Sequence, residues 1–177
     1  IPLYPGLDLI PASSDLYNLD LESHRDAAHE PLRMREFVQA AQADGSTDFF
    51  IFDCPPGFTL ASVGALMAAD EVIVPVTVDG FSINGLDSMQ KQMQRLRRLC
   101  RPGRLRVLVT QWNRSNAVRQ GEELLRSSGF DVFRTVIRRS VKVPESTFHG
   151  FPMAAYSPGN SATIDYRALV QELLGEV

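Results

Sequence analysis

Phe49-Phe50-Ile51-Phe52-Asp53-Cys54-Pro55-Pro56-Gly57 decides how this chain is read. Four consecutive apolar residues suit a strand buried on both faces, because a half-solvated strand alternates instead. The run ends on Asp53, which puts a carboxylate at the strand's tip, and Pro55, Pro56 and Gly57 then turn the chain out of the sheet. A carboxylate so placed can hold Mg²⁺ through a water. A strand that simply stops at Asp before a proline turn would have the same sequence.

Working outward, residues 7–10 form a short apolar run closed by Pro11, read as a strand. Pro31 opens a helix carrying Met34, Phe37, Val38 and Ala41 at helical spacing. Residues 60–69 read as helix, 71–76 as strand, and 82–100 as a long helix striped by Ile83, Leu86, Met89, Met93, Leu96 and Leu99. A strand at 105–110, a helix at 116–127, a strand at 132–137 and a closing helix at 161–174 follow. Apolar strands alternating with helices predict an α/β fold, a parallel sheet flanked by helices on both faces. Ligands in such sheets bind beyond the carboxyl ends of strands, which points to Asp53, 76–79, 110–116 and 137–142.

The 177 residues carry 18 Lys plus Arg and 21 Asp plus Glu, a formal charge of −3, with 44% hydrophobic residues. This excludes collagen, coiled coil and extended disorder, and no apolar run reaches the ~18 residues of a membrane span. Cys54 and Cys100 make neither a disulfide framework nor a zinc pattern and read as free thiols of a reducing compartment. The small net charge hides a split: residues 1–90 sum to −11 and residues 91–177 to +8. The stretch from Lys91 to Lys142 alone holds 14 basic and 3 acidic side chains, an anion-seeking face. The cations are 16 Arg and 2 Lys, which fits forked phosphate contacts and equally a GC-rich genome.

Several stretches in order resemble the ParA/MinD family of deviant-Walker P-loop ATPases, most closely its ParA-type partition branch. They are residues 7–13, residues 50–57, residues 65–76 with Gly85-Leu86, residues 136–141 with Glu145, and residues 149–153. The resemblance covers nearly the whole chain and makes Asp53 a Walker B acid. The family's Gly-rich Walker A loop with two lysines has no match, since the only lysines are Lys91 and Lys142 and neither follows a Gly-rich turn. The acidic strand that normally follows has no match either. The chain therefore reads as a single α/β domain over residues 1–177, the C-terminal two-thirds of a ParA-like ATPase domain lacking the first strand, the P-loop and the first helix.

The resemblance implies ATP and Mg²⁺ as cofactors of the intact parent, with Asp53 as the Mg²⁺-side catalytic acid and Pro55, Pro56 and Gly57 as a γ-phosphate switch. Thr110 and Asn113 fall at the base-recognition loop, which is one residue shorter here than the family pattern. Arg114 and Arg139 fall where ParA proteins contact DNA without reading sequence, and Arg119, Arg138 and Lys142 join them in the basic stretch. The family usually has Ile-Pro-Arg where this chain has Ile137-Arg138-Arg139. A solvated basic helix face and pairing to the acidic half are the alternative for these cations. His24 and His29, five apart, do not stack on one helix face as a metal pair would. Trp112 reads as packing or base stacking, and His149 as part of a structural turn.

The implied function is an ATP-dependent homodimer, cytoplasmic and nucleoid-associated, that binds non-specific DNA and positions plasmid, chromosome or other cargo with a ParB-like stimulating partner. One alternative is a MinD-like membrane-associated ATPase. The acidic polar face of the last helix disfavours it and suggests docking of Leu169, Val170, Leu173 and Leu174 onto the sheet. The other is a non-catalytic DNA- or partner-binding module. Without a Walker A loop the 177 residues alone are expected not to turn over ATP.

Overall fold

Residues 2–13, 30–45, 47–55, 57–78, 80–96 and 103–175 are described in the structure, a computed structural model. The chain divides into two units, Ile1–Asp70 with Cys100–Gly103 and Glu71–Leu99 with Arg104–Val177. The expectations for Pro56, Asp79, His24, His29, Arg97, Arg98, Cys100 and Arg101 lie outside the described residues.

In the first unit, β1 (Pro2–Tyr4) and β2 (Leu7–Asp8) pair antiparallel. Helices α1 (Glu30–Ala43) and α2 (Leu60–Ala68) pack on each other. The strand expected at residues 7–10 shortens to two residues in a local hairpin. Gly6, at φ 76°, folds the chain back so that β1 becomes its partner, and Leu9 and Ile10 stay exposed. The run at residues 49–52 is the larger departure, since it forms no strand. A central strand needs neighbours to take its N–H and C=O groups, and β1 and β2 are paired to each other. Ile51 is 90% exposed, while Phe50 packs edge-on against Phe37 of α1, centroids 5.9 Å apart.

In the second unit the strand–helix–strand core follows the patterning. Strands β3 (Glu71–Val76) and β4 (Arg104–Val109) pair in parallel from Glu71↔Arg104 to Val76↔Val109, and α3 (Gly80–Leu96) makes the crossover. After β4 come α4 (Asn116–Ser127), α5 (Lys142–Phe148), α6 (Met153–Tyr156) and α7 (Ser161–Leu173). Successive β4 side chains alternate between faces. Val107 and Val109 join Val76, Leu86 of α3 and Leu125 of α4 in one core. Leu108 joins Phe133, Ile137, Ala162 and Leu169 of α7 in the other. Helices thus cover both faces of a parallel sheet. No helix among the described residues is long and apolar enough to cross a membrane.

The strand expected at 132–137 is interrupted. One parallel bridge, Val107↔Val132, joins it to β4, and a second, Trp112↔Arg138, joins the segments that follow each. Phe133 N–H donates to the Val107 carbonyl at 2.9 Å and Ile137 N–H to that of Val109 at 2.8 Å, so two extra residues bulge between them. The carboxylate of Glu172 on α7 accepts the N–H groups of Arg134 and Thr135 in the bulge, each at 2.8 Å. That capture is why the ladder breaks here.

Arg106 lies on the Leu108 face of β4, 8% exposed, its guanidinium 3.6 Å over the Phe133 ring. It reaches Glu71 and Glu172 at 3.3 Å each and Asp131 at 3.8 Å. An unpaired charge there would cost several kcal/mol, so the carboxylates decide which helix face turns inward. The α7 docking face is accordingly Ala162, Asp165, Leu169 and Glu172, while Val170, Leu173 and Leu174 point to solvent. The apolar docking set expected from sequence is corrected, except for Leu169.

Burial alone would raise the Glu172 carboxyl, but the Arg134 and Thr135 donors and the Arg106 charge outweigh it and hold it below the ordinary carboxylate range. A depressed folded-state value stabilises the fold above the unfolded pKa of about 4.3, and that contribution is lost as pH falls through the folded value. Glu172→Gln should lower stability at pH 7 by about 3 kcal/mol and flatten the acid limb of the stability profile below about pH 5. Urea denaturation across pH measures both; an unchanged acid limb would refute the role.

Candidate nucleotide and phosphate-facing site

Each unit holds part of the expected site. In the first, Asp53 is exposed and takes no ion pair or hydrogen bond among the described residues. The Cys54 thiol beside it is pushed up by partial desolvation and by the Asp53 charge, and stays protonated at neutral pH. Pro55 is exposed, and Gly57 turns the chain at φ 116°, which only glycine adopts readily. Two residues on, the Thr59 hydroxyl accepts from Ser62 N–H at 3.1 Å and caps α2. The local path is therefore carboxylate, turn, helix, as expected, although the acid sits on an unpaired segment rather than a strand tip.

In the second unit the loop after β4 is held at every step. Thr110 donates to the Val76 carbonyl from its N–H at 2.8 Å and its hydroxyl at 3.1 Å. Gln111 takes a left-handed φ of 52°. The Trp112 indole N–H donates to Glu122 of α4 at 2.7 Å, and its ring packs against the Val107 core. This is the packing reading of Trp112. Asn113 Oδ1 accepts Ser115 N–H at 3.0 Å, leaving its amide N–H₂ facing solvent, and Ser115 caps α4. His149 stacks on Tyr156, centroids 5.6 Å apart, in the turn after α5.

From Arg104 to Lys142 the described cations separate into a paired and an open set, while Lys91 and Arg95 are exposed on α3. Arg104 pairs with Asp131, Arg106 with Glu71 and Glu172, Arg126 with Glu122, Arg138 with Asp165 and Lys142 with Glu145. Lys142 and Glu145 hold each other charged, the cation raised and the acid lowered by their shared hydrogen bond. Arg114, Arg119 and Arg139 are exposed, with no side-chain partner among the described residues. Trp112 N–H donates to Ile137 O at 3.0 Å and Arg139 N–H to Trp112 O at 2.9 Å. Those two bonds place the segments carrying Arg114 and Arg139 side by side.

A family model described as an AAA domain matches residues 3–103. Chromosome partitioning protein ParA of Caulobacter vibrioides is 31% identical over 175 residues, covering 96% of this chain and 65% of that protein. Chromosome-partitioning ATPase Soj of Thermus thermophilus is 32% identical over 177 residues, covering 97% and 68%. The chain belongs to the ParA/MinD family of partition-type ATPases. It spans about two thirds of the length of these relatives. Among solved structures, cobyrinic acid a,c-diamide synthase from Mycobacterium smegmatis, with bound ADP and magnesium, matches at TM-score 0.72 and 22% identity, over 93% of this chain and 60% of that one. That likeness is one of fold, and it agrees with a P-loop ATPase architecture for this ParA/MinD-type chain.

Among the described residues no group of three His, Cys, Asp or Glu could hold a metal ion. A single open carboxylate at Asp53 fits an outer contact to a hydrated Mg²⁺. The free amide of Asn113 fits a donor to a base edge. Sequence reasoning missed the acids that hold the loops: Glu122, Asp165 and Glu172. The signal was present, since Asp165, Leu169 and Glu172 lie at i, i+4, i+7 and share one face of α7.

Trp112 is the sole tryptophan, so its emission reports this loop. Glu122→Ala should strand the indole N–H, cost about 1–2 kcal/mol and shift the emission. Unchanged fluorescence and stability would contradict the anchoring.

Proposed function

We propose that the protein containing this chain is a ParA-like ATPase that binds DNA non-specifically as an ATP-dependent homodimer. It drives partition or positioning of a plasmid, chromosome or other cargo, released by a ParB-like stimulating partner in the cytoplasm, on the nucleoid. The observation that carries this is the pair Arg114 and Arg139, exposed, without acidic partners, on segments joined by backbone hydrogen bonds. Unneutralised guanidiniums carried on a hydrogen-bonded backbone can meet phosphate, and such contacts read no sequence. Arg119 on α4 extends the surface. Arg138 and Lys142 contribute less, because Asp165 and Glu145 already hold them.

On the nucleotide side, each unit is read by itself: in the first, Asp53 would orient a Mg²⁺-bound water and Gly57 would let the backbone approach phosphate; in the second, Thr110 with Asn113 would line a base. Magnesium, when bound, supplies charge neutralisation at the β- and γ-phosphate oxygens. One observation favours the membrane-associated alternative: α7 presents Ile164, Val170, Leu173 and Leu174 to solvent. Its acids are turned to the sheet and do not oppose an anionic surface.

Fluorescence anisotropy of the full protein with ATP and a random-sequence duplex tests the reading. Affinity should fall steeply with salt, by about 0.9 log units per contacted phosphate per log unit of salt. Arg114→Ala and Arg139→Ala should each lower that slope by about one phosphate. Full salt-sensitive binding in the double variant would overturn the DNA assignment. Liposome co-sedimentation without DNA binding would replace it with the membrane reading.

A further inference from the structure

Asp165 is a buried acid, 9% exposed, in the middle of α7. Its Oδ2 accepts the backbone N–H of Arg138 at 2.9 Å and also that residue's Nε at 2.9 Å. Its Oδ1 accepts from Nη2 at 2.6 Å and from Nε at 3.1 Å. Nη2 additionally donates to the Ser161 carbonyl at 3.3 Å. One carboxylate thus grips both the main chain and the side chain of a single residue. Arg138 N–H takes no part in the sheet ladder, whose bonds here run from Trp112 N–H to Ile137 O and from Arg139 N–H to Trp112 O. The Arg138 amide is therefore held from the α7 side, and Arg139 is the next residue. Arg139 has no side-chain partner of its own among the described residues.

We infer that Asp165 is a positioning residue, which through its clamp on Arg138 fixes the direction in which Arg139 leaves the sheet beside Arg114. This rests on the reading of Arg114 and Arg139 as phosphate contacts and adds how their spacing is maintained. The Arg138 guanidinium serves as a tether to α7, and its charge is spent on Asp165. A positioned arginine loses less side-chain entropy on meeting phosphate than a swinging one.

The full protein separates the claims. Asp165→Asn keeps an acceptor for the backbone N–H and removes the forked charge pair. It should weaken duplex binding roughly three- to tenfold, the scale of couplings between neighbouring residues. Arg139→Ala should then cost less in the Asp165→Asn background than in the wild type, because an unpositioned arginine has less to lose. A purely structural Asp165 would leave the Arg139→Ala cost unchanged.

Arg138→Pro combined with Asp165→Ala is the rescue. Proline fixes φ without a tether and needs no N–H acceptor, so binding should return to within about twofold of wild type on the same coupling scale. Wild-type binding by Asp165→Asn, additive losses with Arg139→Ala, or a double variant that is unfolded or folded but still weak would each overturn the positioning role. Failure of Arg139→Ala to weaken wild-type binding would instead overturn the phosphate reading beneath it.

Discussion

A buried guanidinium organises the second unit. Arg106 sits under α7 with Phe133 against its face and Glu71, Asp131 and Glu172 around its edge. A charge in that position is tolerable only if its partners are fixed, and fixing Glu172 fixes α7. With the helix in register, the same carboxylate takes the N–H groups of Arg134 and Thr135 and creates the bulge that sets where the next strand re-joins β4. Two turns earlier on the helix, Asp165 then meets Arg138. The position of the exposed Arg139 is thus the end of a chain of contacts that begins at Arg106.

This gives the charge asymmetry a different meaning from the one its arithmetic suggests. A run with 14 cations and 3 acids looks like one continuous phosphate-binding face. Much of it is consumed internally, by acids from inside the run (Glu122, Asp131) and from outside it (Glu71, Glu145, Asp165, Glu172). What stays open near the sheet's carboxyl edge is the small set Arg114, Arg119 and Arg139. Electrostatic steering follows the whole field, while the proposed phosphate contacts are the arginines that hold no acid among the described residues.

The longer helices were legible because their signals are local, while the short α5 and α6 were not expected. The helix expected at residues 116–127 is α4 to the residue, with Ser115 as its cap. Strands β3 and β4 were legible from short apolar-rich runs, although Arg106 interrupts the second. The remaining strands depend on partners that a pattern does not name: residues 49–52 find no ladder, and residues 132–137 lose theirs to a side chain 35 or more positions away. The candidate site divided the same way. Asp53, Asn113, Arg114 and Arg139 came from family-like motifs. Glu122, Asp165 and Glu172 read as solvent-facing, as acids on an amphipathic helix ordinarily do, even though Asp165, Leu169 and Glu172 share one face of α7. Arg138 stands where the family pattern has proline, but its acceptor on α7 is visible only in three dimensions.

The central claim is that the arginines divide into tethers and phosphate contacts. Arginine-selective modification of the full protein, free and bound to duplex DNA with ATP, and read residue by residue by mass spectrometry, tests it most directly. The account predicts that DNA shields Arg114, Arg119 and Arg139, while Arg104, Arg126 and Arg138 keep the reactivity they have in the free protein. Shielding of the paired set with Arg114 and Arg139 left reactive would contradict it.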